Sequence, residues 1–158
     1  MPRESRPLTA GETALAATLF GDAIDYRQVR MVRGKWAFFQ PRETVMAPCG
    51  HIHFHPRGHT WSDDFAHANL SAQGLFVHEM THVWQTQTRG RWYLPTHRHP
   101  FCRYDYAIRP GQALKTYGIE QQAEIVRHTF LLRRGARVIG APERAVYEGI
   151  LPFGTAPG

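Results

Sequence analysis

The feature that most constrains the fold is a pair of histidines, His78 and His82, inside a long stretch with helical character. The stretch runs from about residue 65 to residue 88, and Gly90 follows it as a helix-ending residue. On a helix, side chains four residues apart share one face, so both imidazole rings can reach one cation. Because bulky apolar residues surround the pair, the sequence predicts a buried helix that supplies two metal ligands. Two ordinary histidines bonded to backbone carbonyls are the alternative.

Glu79 completes an HExxH sequence, HEMTH at positions 78–82. A glutamate beside the first histidine projects toward the open coordination position, where it can take a proton from an attacking water as a general base. The residues after His82 lack the continuation that supplies the third ligand in metzincins. A third ligand must therefore come from another part of the chain.

A second predicted helix, from about residue 118 to residue 134, carries two acids four residues apart, Glu120 and Glu124. The two carboxylates share one face, and the small Ala123 between them allows another helix to approach closely. One carboxylate can bind a metal while the other accepts a hydrogen bond from the ring N–H of a ligand histidine. Two solvated acids on an exposed face are the alternative.

The HExxH sequence followed by an ExxAE sequence resembles the motifs of the gluzincin metallopeptidases. The resemblance implies one Zn²⁺ per chain, bound by His78, His82 and Glu120. It implies that Glu79 is the catalytic base and that Glu124 supports the ligands. The family more often has aspartate at this last position, and the longer glutamate leaves Glu124 open as the third ligand.

Three stretches are similar to small bacterial proteins of the vgr-related and Rhs-associated kind, namely residues 8–22, 77–85 and 117–126. This resemblance implies a minimal zincin-like metallopeptidase domain with a small mixed sheet, an active-site helix and a second, ligand-bearing helix. It also connects the chain with type VI secretion and implies a secretion-system protein as a partner.

The remaining patterns predict an α+β fold in a single domain, residues 1–153, with a disordered tail at residues 154–158. Thr9 and Glu12 have the spacing of a capping box, which predicts a first helix that ends near Gly21.

Residues 51–55 alternate histidines with apolar residues, which predicts a strand with its histidines on one face. A gluzincin-like fold places such a strand beside its active-site helix, so we expect His53 and His55 to line the substrate cleft. A separate metal site on this strand and a solvated face are the alternatives.

Tyr104, Tyr106 and Tyr117 precede the second helix, in or beside a loop that could fold over the cleft. We select Tyr106 and Tyr117 as candidates to stabilise the reacting carbonyl by hydrogen bonding. His128 follows Glu120 by eight residues, about 12 Å along a helix axis. This distance is too great for both residues to reach one carbonyl, so we expect a structural role for His128.

Composition narrows the partners. The formal net charge of +6 comes from 17 arginines and two lysines, which suits an anionic peptide or protein substrate. The arginines are scattered and accompany no nucleic-acid-binding motif, so we do not expect nucleic acid as a partner. No apolar run is long enough to span a membrane, and the first residues lack the apolar segment of a secretory signal. We therefore expect synthesis in the cytoplasm, with any export left to a dedicated secretion machine.

The sequence thus predicts a zinc-dependent hydrolase of peptide or amide bonds that uses an activated water and a glutamate base. The alternative is a metal-stabilised binding or assembly module of a type VI-like secretion system, without turnover.

Overall fold

The computed structural model describes residues 3–98 and 102–154, and within them three strands and five α-helices form an α+β fold. The strands are β1 (Glu4–Pro7), β2 (Arg30–Arg33) and β3 (Ile52–Phe54). The helices are α1 (Ala10–Phe20), α2 (Leu70–Arg89), α3 (Tyr93–His97), α4 (Ile119–Arg133) and α5 (Arg144–Glu148). The predicted α+β class is confirmed. The predicted disordered tail lies outside the described residues, apart from Gly154.

The three strands form one small mixed sheet in which β2 is central. Strand β2 pairs antiparallel with β1 and parallel with β3. The predicted small mixed sheet is therefore present. The strand predicted over residues 51–55 forms over Ile52–Phe54. An isolated bridge to Met46 also engages the backbone of His53, with N–O distances of 2.7 and 3.0 Å. The backbone of His53 therefore has a partner within the chain.

A buried acid at the start of α1 joins the sheet to the helices. The predicted capping box is confirmed, because Thr9 Oγ1 accepts from the backbone N–H of Glu12 and Glu12 accepts from that of Thr9, both at 3.0 Å. The fully buried Glu12 carboxylate also accepts two hydrogen bonds of 2.9 Å from Arg6 of β1 and one of 3.0 Å from the backbone of Phe65. This cluster fixes how α1 enters the fold.

The long helix α2 begins at Leu70, five residues later than the predicted start near residue 65. Asp64 caps a separate 3-10 turn over Phe65–His67, and Asn69 caps α2 by accepting from Ala72 N–H at 2.8 Å. Two successive caps with a break between them replace the single predicted helix start. Its end agrees with the prediction, since Gly90 follows with a φ of 103°, a conformation that favours glycine.

Helix α2 packs along α4 on one side and contacts β3 on the other. An aromatic stack links it to the sheet, with ring-centroid distances of 5.7 Å from Phe54 to Phe65 and 5.6 Å from Phe65 to Phe76. On α4, Ala123 is fully buried, as expected for a residue that permits close helix packing. This packing brings the middle of α2 against the first turn of α4.

No helix in the two described ranges is long and apolar enough to cross a membrane.

Candidate metal centre

Three buried side chains from α2 and α4 converge on one point. Helix α2 supplies His78 and His82, whose ring centroids lie 5.0 Å apart, and α4 supplies Glu120. Glu120 Oε2 lies 3.1 Å from His78 Nε2 and 3.2 Å from His82 Nε2. The ligand-type atoms of the three residues all lie within 4.8 Å of one another. The spacing of four residues on one helix therefore directs both rings at the same carboxylate oxygen.

The surroundings of the second Glu120 oxygen, Oε1, indicate whether these residues suit a metal. Glu120 Oε1 is buried and has no hydrogen-bond partner among the described residues. Arg98 Nε lies 3.3 Å away, but without hydrogen-bonding geometry. A buried acceptor without a partner is costly, and a cation among the three side chains would offset that cost. Two imidazole nitrogens and one carboxylate are the ligand set of several catalytic zinc sites, so the residues fit Zn²⁺.

The electrostatics of the cluster favour positive charge at its centre. Burial alone would raise the pKa of Glu120, but hydrogen bonds from His78 and His82 outweigh it and hold the pKa well below its ordinary value. Burial would lower the pKa of His82, but its hydrogen bond to Glu120 and the charge of that carboxylate raise it. Either a proton on the His82 imidazole or a divalent cation would supply positive charge beside the Glu120 carboxylate.

Gln85 orients His82. The ring Nδ1 of His82 lies 2.8 Å from Gln85 Oε1, and Gln85 Nε2 donates to Ile119 O and to Gln122 Oε1, each at 3.0 Å. A glutamine oxygen only accepts, so Nδ1 carries a proton and Nε2 is left for a metal. Sequence reasoning missed Gln85, although its position three residues after His82 on the same helix face was a usable signal.

Glu124 occupies a different place from Glu120. Its Oε1 lies 3.6 Å from Nδ1 of His78, the ring nitrogen that faces away from the cluster. Its Oε2 accepts a hydrogen bond of 2.8 Å from Arg127 and lies 3.4 Å from His128 Nε2. Of the two acids left open as the third ligand, the structure brings Glu120 into the cluster and sets Glu124 behind His78.

Glu79 lies buried beside the cluster, with 5% of its surface exposed. Burial raises its pKa above the ordinary value, and the charge of Glu120 adds to this effect. The nearby imidazoles and Arg98 oppose the shift without cancelling it. A carboxylate with a raised proton affinity is suited to accept a proton near neutral pH.

Comparison with known proteins identifies relatives of the chain. No family model matches it. Over 135 residues it is 44% identical to the type VI secretion system spike protein VgrG2b of Pseudomonas aeruginosa, an alignment that covers 80% of this chain and 13% of that protein's length. Among solved structures, the effector domain of P. aeruginosa VgrG2b matches with a TM-score of 0.73 and 37% identity, over 92% of this chain and 83% of that one. The chain belongs to the family of the VgrG2b effector domain.

Membership in the VgrG2b effector-domain family corrects the assignment to the gluzincin metallopeptidases, which was wrong. That assignment depended on two short motifs, whereas the similarity to VgrG2b extends over 135 residues and no gluzincin model matches. Short motifs report the local spacing of side chains, and unrelated folds can share such spacing.

In this VgrG2b-type domain, Tyr104 lies against the cluster. Its ring stacks over that of His78, with centroids 6.1 Å apart and planes inclined by 15°. Its hydroxyl accepts a hydrogen bond of 3.4 Å from Arg98, and burial raises its pKa. Sequence reasoning named Tyr104 without selecting it and missed Arg98, because both residues come from a loop whose path has no periodic signal.

The two selected tyrosines form contacts elsewhere. The Tyr106 hydroxyl lies 2.5 Å from His128 Nδ1 and 2.8 Å from the Tyr147 hydroxyl. Burial and the bond to Tyr147 raise the pKa of Tyr106 far above its usual range, so the hydroxyl keeps its proton. The Tyr117 hydroxyl accepts from the backbone N–H of Arg109 at 3.1 Å. Their predicted contact with a substrate carbonyl stays a prediction.

The two cleft histidines are both buried. Nδ1 of His53 lies 3.1 Å from an Arg3 guanidinium nitrogen, and the ring lines a cavity of about 510 Å³ together with Arg3 and Trp92. Nδ1 of His55 accepts from the backbone N–H of Arg57 at 3.1 Å. Their role in a substrate cleft also stays a prediction, and each ring already has a partner inside the domain.

Proposed function

We propose that this domain is an effector of a type VI secretion system that binds one Zn²⁺ and hydrolyses peptide or amide bonds, in a zincin-like arrangement of its two ligand-bearing helices. The names of its relatives, a type VI spike protein and its effector domain, support the connection with secretion. This chain aligns with only 13% of the spike protein's length. Any activity, substrate or partner that it shares with the spike protein is therefore part of the proposal.

One observation carries the metal part of this proposal. A single oxygen of Glu120 faces both His78 Nε2 and His82 Nε2, at 3.1 and 3.2 Å, while its other oxygen is buried and accepts no hydrogen bond from the described residues. Three protein ligands from His78, His82 and Glu120 leave a fourth coordination position for a water or substrate. When bound, Zn²⁺ polarises a carbonyl group and lowers the pKa of water.

The residues of the chain supply the remaining work. Glu79 takes a proton from the attacking water on its carboxylate and passes it to the leaving nitrogen. Burial keeps its pKa raised, which suits both halves of this transfer. Gln85 holds His82 in the tautomer that frees Nε2, and the Glu124 carboxylate lies 3.6 Å from the outer nitrogen of His78. Tyr104 and Arg98 border the cluster and are available to contact a bound substrate.

The test compares zinc-loaded wild type with Glu79→Gln on a proteome-derived peptide mixture, with new peptide termini detected by mass spectrometry. We expect the wild type to generate new termini and the variant to lose at least about a hundredfold in rate while retaining zinc. Glu4→Gln, an exposed acid-to-amide change, is the matched control and should cleave like the wild type. Wild-type cleavage activity in the Glu79→Gln variant would contradict the proposed mechanism.

A second candidate is a metal-stabilised binding or assembly module without turnover. The description of the curated relative as a type VI secretion system spike protein favours it. This candidate predicts that zinc binds, that no new termini form, and that Glu79→Gln retains every partner that the wild type binds. Zinc-dependent cleavage by the wild type that Glu79→Gln lacks would exclude it.

A further inference from the structure

Four aromatic side chains form an exposed patch on the surface of the domain. Trp36, Phe38 and Phe39 lie in the connection between β2 and β3, and Trp92 lies between α2 and α3. Phe38 is 88% exposed, Trp92 64% and Phe39 59%. We call these four residues the aromatic patch.

Contacts and shared cavities connect the members of the aromatic patch. Phe39 packs edge-on against Phe38 and Trp36, with ring-centroid distances of 5.3 and 6.4 Å. Trp36 and Trp92 line the same cavity of about 510 Å³. Soluble domains seldom leave several large rings together in water, and such a group of rings marks a surface that binds something.

Positive charge surrounds the aromatic patch. Arg3 and Arg91 line the cavity that Trp36 and Trp92 share, and the Arg91 guanidinium lies 5.3 Å from the Trp92 ring centre. Lys35 is exposed and donates to the backbone carbonyl of Phe38 at 3.2 Å.

The aromatic patch also borders a second cavity. An adjoining cavity of about 480 Å³ is lined by Trp36 and Phe39 together with Arg98. Among the described residues that line the two cavities there is no aspartate or glutamate. An occupant of this surface should therefore be apolar within reach of the rings and negatively charged around them.

We propose that the aromatic patch docks the domain on the surface of a bilayer that contains anionic lipids. Tryptophan and phenylalanine rings bind at the boundary of headgroups and acyl chains, and nearby lysines and arginines bind lipid phosphates. Protruding rings such as Phe38 need no matching cavity in a lipid layer, because the layer is fluid. This docking is peripheral, on a surface that adjoins the metal centre through Arg98.

Sedimentation with lipid vesicles tests the proposal on the full chain. We expect the wild type to sediment with vesicles of phosphatidylcholine and phosphatidylglycerol, more weakly with phosphatidylcholine alone, and less as salt is raised. Phe38→Ser combined with Phe39→Ser should lower the partition coefficient at least about tenfold, because both rings leave the interface. Both side chains are exposed, so the variant should keep the wild-type melting temperature.

Two controls distinguish binding through the aromatic patch from nonspecific binding by exposed apolar residues and by net positive charge. Ile139→Ser removes an apolar side chain that is 95% exposed and does not line either cavity, and should bind like the wild type. Lys35→Gln should weaken binding more than Lys115→Gln, which changes the net charge equally at another exposed site.

Three results would overturn the proposal. The first is that the wild type does not sediment with anionic vesicles. The second is equal binding by wild type and the phenylalanine double variant. The third is a wild-type dimer that dissociates in the double variant without any vesicle binding, which would make the patch an interface between copies of the chain.

Discussion

The Nδ1 atom of His82 lies 2.8 Å from Oε1 of Gln85, one turn further along α2. The same glutamine donates to the backbone carbonyl of Ile119 and to Gln122, both on α4. The carbonyl can only accept, which fixes the orientation of the Gln85 amide and hence the proton on His82 Nδ1. The tautomer of a proposed zinc ligand therefore depends on how the two helices pack.

Removing the Gln85 acceptor should weaken zinc binding. Gln85→Leu frees His82 to rotate and to change tautomer, and we expect zinc affinity to fall about 10- to 100-fold, measured by competition with a chromophoric chelator. Gln85→Glu keeps an oxygen acceptor for Nδ1–H and should restore most of the affinity. Gln112→Leu, a matched change away from the cluster, should leave affinity unchanged. A Gln85→Leu protein with wild-type affinity would show that this contact does not position His82.

The two acids of α4 should differ sharply as amides. Glu120→Gln removes a direct ligand and should abolish stoichiometric zinc binding at neutral pH. Glu124→Gln changes the side chain behind His78 and no direct ligand, so we expect bound zinc to remain near one per chain with affinity lowered about 10- to 100-fold. Metal analysis after gel filtration distinguishes the two variants. The reverse pattern would make Glu124 the ligand.

Zinc should stabilise the folded domain, because the unfolded chain has no assembled site. At free zinc about 100-fold above the dissociation constant, the gain is about 2.7 kcal/mol. For a domain of this size that raises the melting temperature by about 5–10 °C. Differential scanning calorimetry measures the shift, and His78→Ala serves as the control that should show almost none. An equal shift in His78→Ala would place the zinc elsewhere.

Acid should destabilise the domain through His53. Burial, together with the charge of Arg3, lowers the pKa of His53 from 6.5 to about 4. The unfolded state therefore binds more protons between these values, so stability falls as pH drops from 6.5 toward 4. The loss from this one group is about 3 kcal/mol.

Urea unfolding with chelator present measures this effect, because the chelator removes any contribution from bound metal. His53→Asn removes the titrating ring, and the difference in unfolding free energy between wild type and variant should shrink as the solution is acidified. A constant difference across that range would contradict the assigned cause.

The candidate site could be predicted where its spacing is local. His78 and His82 are four residues apart on one helix, and Glu120 sits in the first turn of the next long helix, so periodicity alone indicates which side chains can meet. The choice of Glu120 over Glu124 came from the resemblance to known motifs and not from the helical pattern. It depends on the register between α2 and α4, which a helical pattern does not specify.

Other parts of the site depend on chain paths without a periodic signal. Tyr104 stacks on His78 and Arg98 approaches Glu120 because the loop before α4 crosses the cluster. The contact of the His53 ring with Arg3 was not predicted, because Arg3 is brought there by the pairing of β1 with β2. The late start of α2 at Leu70 likewise reflects two caps in succession rather than the apolar pattern.

The most direct test of the account is the metal content of the purified, tag-free protein, measured by inductively coupled plasma mass spectrometry beside a His82→Ala variant. The account predicts about one zinc ion per wild-type chain and almost none in the variant. Wild-type protein that stays free of metal after zinc is offered at neutral pH would contradict it, and the convergence of His78, His82 and Glu120 would then be a buried ion-pair cluster.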